Sequence, residues 1–318
     1  MSKILVTGGC GYVGSVLTAT LLRKGFKVIV VDTEWFGNYL VPHENLTCYK
    51  KDTREITSSD LVGVEKVIHL ANIANDPAVD LDQTLSWEVN VLSTLQLIDK
   101  CVRGGDVKQF IFASSGSVYG IKDELKVTEE LPLVPLSAYN KTKMVAERVL
   151  KSFEQNIQIH NIRPATVCGL SPRMRLDVAV NLLTFQALTK SKITVLGGQQ
   201  TRPNIHIKDM VAVYEHFLEH SQQLESGEYN AGFENISILE IAQMIQKHIP
   251  CEIEIKPSND PRSYRQDSSK LIRSGFSPYH SVENAILEIK DAYEKGDLKE
   301  SSLNYTIKTM KSILSIKN

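Results

Sequence analysis

The sequence predicts an α/β fold, a doubly wound parallel sheet joined to a smaller, looser C-terminal lobe. Three observations carry this. Short β-branched runs alternate with longer amphipathic stretches through the first half, the rhythm of βαβ units. The run Val28-Ile29-Val30-Val31 is wholly apolar, as a strand covered on both faces must be. From about Thr166 the rhythm loosens, with Gly, Pro and Arg clusters at Pro172–Arg175 and Gly197–Pro203.

Taken in order, a first strand at Lys3–Val6 runs into Thr7-Gly8-Gly9-Cys10-Gly11-Tyr12-Val13-Gly14, and a helix over about Gly14–Lys24 follows. Gly8, Gly11 and Gly14 thus sit at GxxGxxG spacing between a strand and a helix. There they allow a tight turn and let the backbone approach a pyrophosphate, whose charge the helix N-terminus favours. A second strand, Lys27–Val31, ends at Asp32, the distance expected for an acid that accepts both adenosine ribose hydroxyls. A carboxylate there repels a 2'-phosphate, and neither Thr33 nor Glu34 brings a compensating positive charge, so NAD is expected over NADP. Asp52 follows a third strand at Thr47–Lys50 and reads either as an acceptor for the adenine amino group or as a solvent-facing loop acid.

Strands at Lys66–Leu70, Gln109–Ala113 and Gln158–Arg163 complete the sheet, with helices at about Thr84–Val102 and Ala138–Phe153 between them. Ala113-Ser114-Ser115-Gly116-Ser117-Val118-Tyr119-Gly120 lies at the C-terminal edge of a central strand, where open α/β sheets bind ligands. Tyr139 and Lys143 stand four apart on one face of the helix after it. Moving a hydride from a carbinol carbon requires the hydroxyl proton to leave too, and a phenolate is a suitable base. The Lys143 ammonium and a positive nicotinamide ring are expected to favour ionised Tyr139. Ser115 would hold the same hydroxyl oxygen, and Lys143 would also bond the nicotinamide ribose. In the tail, Ser281–Ile316 reads as helical pieces hinged near Gly296, with Tyr305, Ile307, Met310 and Ile313 as a packing face.

The composition excludes other classes. Thirty-six Lys and Arg against 37 Asp and Glu leave a net charge of -1, no field for nucleic acid or an anionic membrane. The five cysteines are scattered without a CxxC pair or a zinc-spaced cluster, which reads as reduced thiols in the cytoplasm and no metal. No apolar run approaches the roughly 18 residues a bilayer span needs, and Ile4–Val6 breaks at once into Thr7-Gly8-Gly9, so neither secretion nor membrane insertion is expected.

The TGGCGYVGS loop, Asp32, His69-Leu70-Ala71, Ser115–Gly120, Tyr139–Lys143, Arg163-Pro164-Ala165-Thr166 and Arg202–Asp209 together resemble the extended short-chain dehydrogenase/reductase family, in particular its NAD-dependent sugar-nucleotide epimerases and dehydratases. The resemblance covers nearly the whole chain. It implies a Rossmann-type NAD-binding domain at residues 1–165, with returning segments near 204–234, and a substrate-binding lobe at 166–203 and 235–318. It implies that Leu70, Ala71 and the Pro164–Val167 backbone border the cofactor and that Asn90 supports its active-site end. Family members pair through the helices around Asn90 and Tyr139, so a homodimer is implied.

The substrate implied is a nucleotide-diphosphate sugar. Guanidinium suits phosphate because its planar fork bonds two oxygens at once, and the second half offers Arg173, Arg175, Asn181, Arg202, Arg262 and Arg265. The resemblance singles out Asn181, Arg202 and Arg262 as matches to pyrophosphate contacts, and it leaves His206 and Asp209 as structural residues. Asn72 stands where relatives commonly keep a small apolar residue and reads as a substrate contact or a loop residue. Sugar-nucleotide 4,6-dehydratases carry an Asp-Glu pair where this chain has Gly116 and Ser117. Dehydration is therefore not expected, and Ser117 is left as a substrate contact. No second acid/base pair for epimerisation beside a ketone is identifiable beyond Cys168. The reading that follows is redox chemistry at C4, as a 4-epimerase, with a 4-dehydrogenase or 4-keto reductase as the alternative. A non-catalytic dinucleotide sensor is the remote one.

Overall fold

The computed structural model describes residues 2–258 and 263–316. In chain order it consists of β1 (Lys3–Thr7), α1 (Tyr12–Arg23), β2 (Lys27–Asp32), β3 (Leu46–Lys50), β4 (Lys66–His69), α2 (Asp76–Val79), α3 (Gln83–Trp87), α4 (Ser93–Gly104), β5 (Gln109–Ala113), α5 (Ala138–Lys151), β6 (Gln158–Pro164) and β7 (Thr166–Cys168). The second half contributes α6 (Ala179–Lys190), β8 (Lys192–Leu196), β9 (Thr201–His206), α7 (Ile207–Glu219), β10 (Gly227–Ala231), β11 (Glu234–Ser237), α8 (Ile238–His248), β12 (Glu252–Lys256), α9 (Ser269–Arg273), α10 (Val282–Glu294) and α11 (Thr306–Ile316).

Seven strands form one parallel sheet in the order β10-β6-β5-β4-β1-β2-β3. Alternation along β1 sorts its side chains to two cores. Ile4 and Val6 join Leu17 and Leu21 of α1 and Met210 and Phe217 of α7 on one face. Leu5 joins Leu97 and Ile98 of α4 and Ala146 and Leu150 of α5 on the other. Helices on both faces explain why the inner strands are almost wholly apolar.

β10 comes from the second half and pairs with β6 in parallel, Gly227 opposite His160. The remaining strands make a three-stranded sheet, β11-β9-β7, and a parallel pair, β12-β8. A separate core of Val180, Leu183, Ile241, Ile245, Val282 and Ile286 holds α6, α8 and α10 together. Among the described residues no helix is long and apolar enough to cross a membrane.

One element differs from expectation. The helix expected over Thr84–Val102 is α3, a π turn at Glu88–Leu92 and then α4. A π turn inserts an extra residue into the helical ladder. Asn90, inside it, is fully buried and bonds Ile73 through both amide atoms, N–H to Oδ1 at 2.8 Å and Nδ2 to the carbonyl at 3.1 Å. Apolar periodicity does not register such a turn.

Candidate active site

A cleft of about 640 Å3 opens over the C-terminal ends of β1 and β4, where the strand order reverses. Gly8, Gly11, Tyr12, Val13, Gly14, Asp32, Asp52, Leu70, Ala71, Pro164 and Val167 all line it. Two glycines show why the loop needs them. Gly8 has φ +72°, and a Cβ there would stand 2.7 Å from the Ala71 nitrogen. A Cβ at Gly14 would stand 2.1 Å from the Gly8 carbonyl oxygen. Gly11 caps α1, so no side chain blocks the helix N-terminus.

Asp32 is held from below. Its Oδ2 accepts from the Cys10 N–H at 2.9 Å and its Oδ1 from the Glu34 N–H at 2.8 Å. Burial raises the carboxyl above its usual range, and the two backbone bonds oppose that. Asp52 caps a short 3-10 turn, and both its oxygens accept from Arg54, Oδ1 from the backbone N–H and Nε and Oδ2 from Nη2 at 2.9 Å.

At the far end of the cleft, Ser115 follows β5, and Tyr139 stands in the first turn of α5. The turn starts at Ser137, whose hydroxyl accepts from the Asn140 N–H at 3.1 Å. Ser115, Ser117 and Asn140 form a chain, with 2.7 Å between the two serine oxygens and 2.6 Å from Ser117 Oγ to Asn140 Oδ1. Ser117 and Asn72 face the same cleft.

Lys143 lies one turn beyond Tyr139, buried, donating to the Ala113 carbonyl at 2.6 Å. Burial depresses its ammonium to about 7, against the opposing charge of Glu147. Glu147 is itself gripped by the buried Arg163 at 3.0 and 2.7 Å and by Ser114, tying α5 to β5 and β6. The Tyr139 phenol is pushed up to about 12 by burial, while its bond to Ser115 lowers it. The expectation is that the Lys143 ammonium and a positive nicotinamide ring together favour the ionised phenol; burial of the phenol opposes this. Lys143 Nζ is 5.8 Å from the Tyr139 ring centroid and is committed to a carbonyl, so desolvation wins.

The expected substrate residues separate. Arg202 and Arg175 line the cleft, and Arg175 Nε donates to Asp177 at 2.8 Å. Asn181 does not line it. Its Oδ1 accepts from the Gly169 N–H at 3.0 Å and its Nδ2 donates to the Arg175 carbonyl and the Tyr12 hydroxyl, which ties the loop after β7 to α1. Asn90 is likewise behind the cleft, and its Nδ2 also reaches Thr142 at 3.1 Å. Arg262 lies outside the described residues.

Cys168 is buried, donates toward the Ile205 carbonyl and has its thiol raised by burial, which suits no acid/base role in the cleft. His206 caps α7, and Asp209 accepts from the backbone of Tyr279 and His280.

Other lining residues escaped the sequence reading. Trp35 and Phe36 follow Asp32 and wall the cleft beside Arg173. Ile307 and Met310 of α11 close it from above, Met310 packing with Ile73 and Val79. The tail face was visible in the sequence; its partner was not.

The NAD dependent epimerase/dehydratase family matches residues 4–232. The chain is 26% identical over 311 residues to a UDP-glucose 4-epimerase of Corynebacterium glutamicum, covering 90% of this chain and 94% of that protein. Its fold matches that of an NAD-dependent NDP-hexosamine 5,6-dehydratase of tunicamycin biosynthesis with a TM-score of 0.84 at 25% identity, over 93% of this chain and 98% of the other. It also matches a UDP-glucuronic acid 4-epimerase from Bacillus cereus, solved with UDP-glucuronic acid and NAD, with a TM-score of 0.82 at 28% identity, over 92% of this chain and 99% of the other.

Proposed function

The chain belongs to the NAD dependent epimerase/dehydratase family, and from that footing we propose that it is an NAD-dependent 4-epimerase of a UDP-sugar. The observation that carries this is the placing of Ser115 and Tyr139 at one end of a cleft whose other end is a glycine turn and a buried acid, with Lys143 buried one turn behind Tyr139. The residues fit the dinucleotide: the turn has no room for side chains at Gly8 or Gly14, and the Asp32 carboxylate is already oriented by two backbone donors. Bound there, NAD would supply the hydride acceptor for C4 of the sugar and the donor for its return to the opposite face.

The residues of the chain do the rest. Ser115 holds the C4 oxygen, and Tyr139, as its phenolate, takes the C4 hydroxyl proton and, as the phenol, returns it when the hydride comes back. Lys143, fixed by the Ala113 carbonyl, bonds the nicotinamide ribose. Gly11 to Gly14 present the helix N-terminus to the cofactor phosphates, and Leu70, Ala71, Pro164 and Val167 wall the ring. Arg175 and Arg202 anchor the diphosphate of the substrate while the hexose turns. Residues 1–165 with 204–234 form the cofactor domain, and 166–203 with 235–318 form the substrate lobe. Exposed Trp87, Leu92 and Leu95 on α3, the π turn and α4 support a homodimer through these helices, and five unpaired cysteines suit the cytoplasm.

The test is a panel of UDP-hexoses and UDP-uronic acids incubated with the purified protein and analysed by NMR. One C4 epimer pair should interconvert to equilibrium. Conversion of none, with NAD demonstrably bound, would count against the assignment.

A further inference from the structure

Of the three arginines that line the cleft among the described residues, Arg173 is the one to which the proposed function gives no role. It lies in the loop between β7 and α6, is 4% exposed, and its Nε is buried without a hydrogen-bond partner. Asp177, an acid that acts on it electrostatically, is paired with Arg175 at 2.8 Å, and the Arg175 charge adds repulsion. The guanidinium carbon sits 4.1 Å from the centroid of the Phe36 ring, a cation–π contact that offsets part of the burial cost. Burial depresses its ionisation to about 10.

A buried cation without a paired anion is expensive, and such groups persist where a ligand completes them. The surroundings say which ligand. Besides Arg175 and Asp177, Arg173 is within electrostatic reach of Tyr12 and Asp32, which line the glycine-turn end of the cleft. The N-terminus of α1, at Tyr12 and Val13, lines the same cleft and carries no side-chain cap. Two independent features, a helix N-terminus and an unpartnered guanidinium, therefore call for negative charge at the dinucleotide end.

We propose that Arg173 clamps the diphosphate of the bound dinucleotide from above, opposite the N-terminus of α1, and that Phe36 holds the guanidinium plane flat for that contact. This rests on the NAD reading of the cleft. Arg175 and Arg202 are left to the substrate.

The test is calorimetric titration of the nucleotide-free full chain with NAD, ADP, adenosine and UDP, for wild type, Arg173→Met and Arg173→Lys. Arg173→Met should weaken NAD and ADP by about tenfold to a hundredfold, the range of a charge-assisted hydrogen bond. Adenosine and UDP should stay within about twofold, since neither uses the clamp. The unliganded Arg173→Met protein should melt no lower than wild type, because an uncompensated charge has gone. Arg173→Lys keeps the charge but loses the fork, and should fall between the two; it decides the question if the methionine variant does not fold. Unchanged NAD and ADP affinity in the variants, or a loss for UDP in place of ADP, would overturn the proposal. A wild type that binds no NAD would instead refute the cofactor reading beneath it.

Discussion

Lys143 shows how one buried residue makes the site sensitive to pH. Its ammonium is depressed to about 7 in the folded protein, against about 10.4 in an unfolded chain. Between these limits the folded state holds fewer protons than the unfolded one, so the contribution of this group to stability rises with pH across that window. Below 7 both states are protonated and the full cost of burying the charge is felt. Melting temperatures of cofactor-free wild type and Lys143→Met, followed from pH 6.5 to 9.5, should show wild type gaining on the variant, by at most about 1.4 kcal/mol per unit. Parallel curves would mean that Lys143 is solvated. At this scale the sequence was informative where chemistry depends on neighbours in the chain. Ser115, Tyr139, Lys143 and Asp32 are recognisable from spacing and from their place at strand ends. Asn181 is not, because its partner Tyr12 lies far upstream and only folding joins them. Nor could sequence separate Arg173 from Arg175, two positions apart with different partners.

The elements explain why the reactive groups hold their places. β5, α5 and β6 are locked beneath the site by the Arg163–Glu147 pair, which Ser114 and Tyr119 complete with hydrogen bonds. All groups in it are buried and partnered, the condition under which such a network gives rigidity. The α3–α4 segment does a second job. Its inner face carries Asn90, bonded to Ile73 and Thr142, while Trp87, Leu92 and Leu95 remain exposed on the outside. These are the residues that the proposed pairing would cover. Leu95→Glu should convert a dimer to a monomer at micromolar concentration in sedimentation velocity, with far-UV circular dichroism unchanged; a wild type already monomeric would contradict the pairing. Although β7 to β12 were not read, the six strands read from the first half were legible to within about a residue because apolar runs bounded by glycine and polar residues define them. The π turn was not, since period 3.6 and a single inserted residue give nearly the same pattern over so short a stretch.

Across the whole molecule, chain segments distant in sequence meet over one sheet edge. The glycine turn and Asp32 come from the first βαβ unit, Ser115 and Tyr139 from the centre, Arg202 from β9 and Met310 from the last helix. β10 returns from the second half of the sequence to complete the sheet. Thr306 N–H donates to Asp177 at 2.8 Å, and Asp177 also holds Arg175, which joins α11 to a cation of the cleft. The alternation of strands and helices announced the sheet, but nothing local showed that the tail would roof the site. A roofed cleft with its own proton carrier suits a cofactor that is reduced and reoxidised without leaving. The most direct test uses UDP-sugar deuterated at C4, with product analysed by NMR and mass spectrometry while absorbance at about 340 nm is followed. A closed cycle predicts that the C4 epimer keeps its deuterium and that no reduced cofactor accumulates in solution. Stoichiometric release of reduced cofactor, or replacement of the C4 deuterium by solvent hydrogen, would contradict the epimerase account.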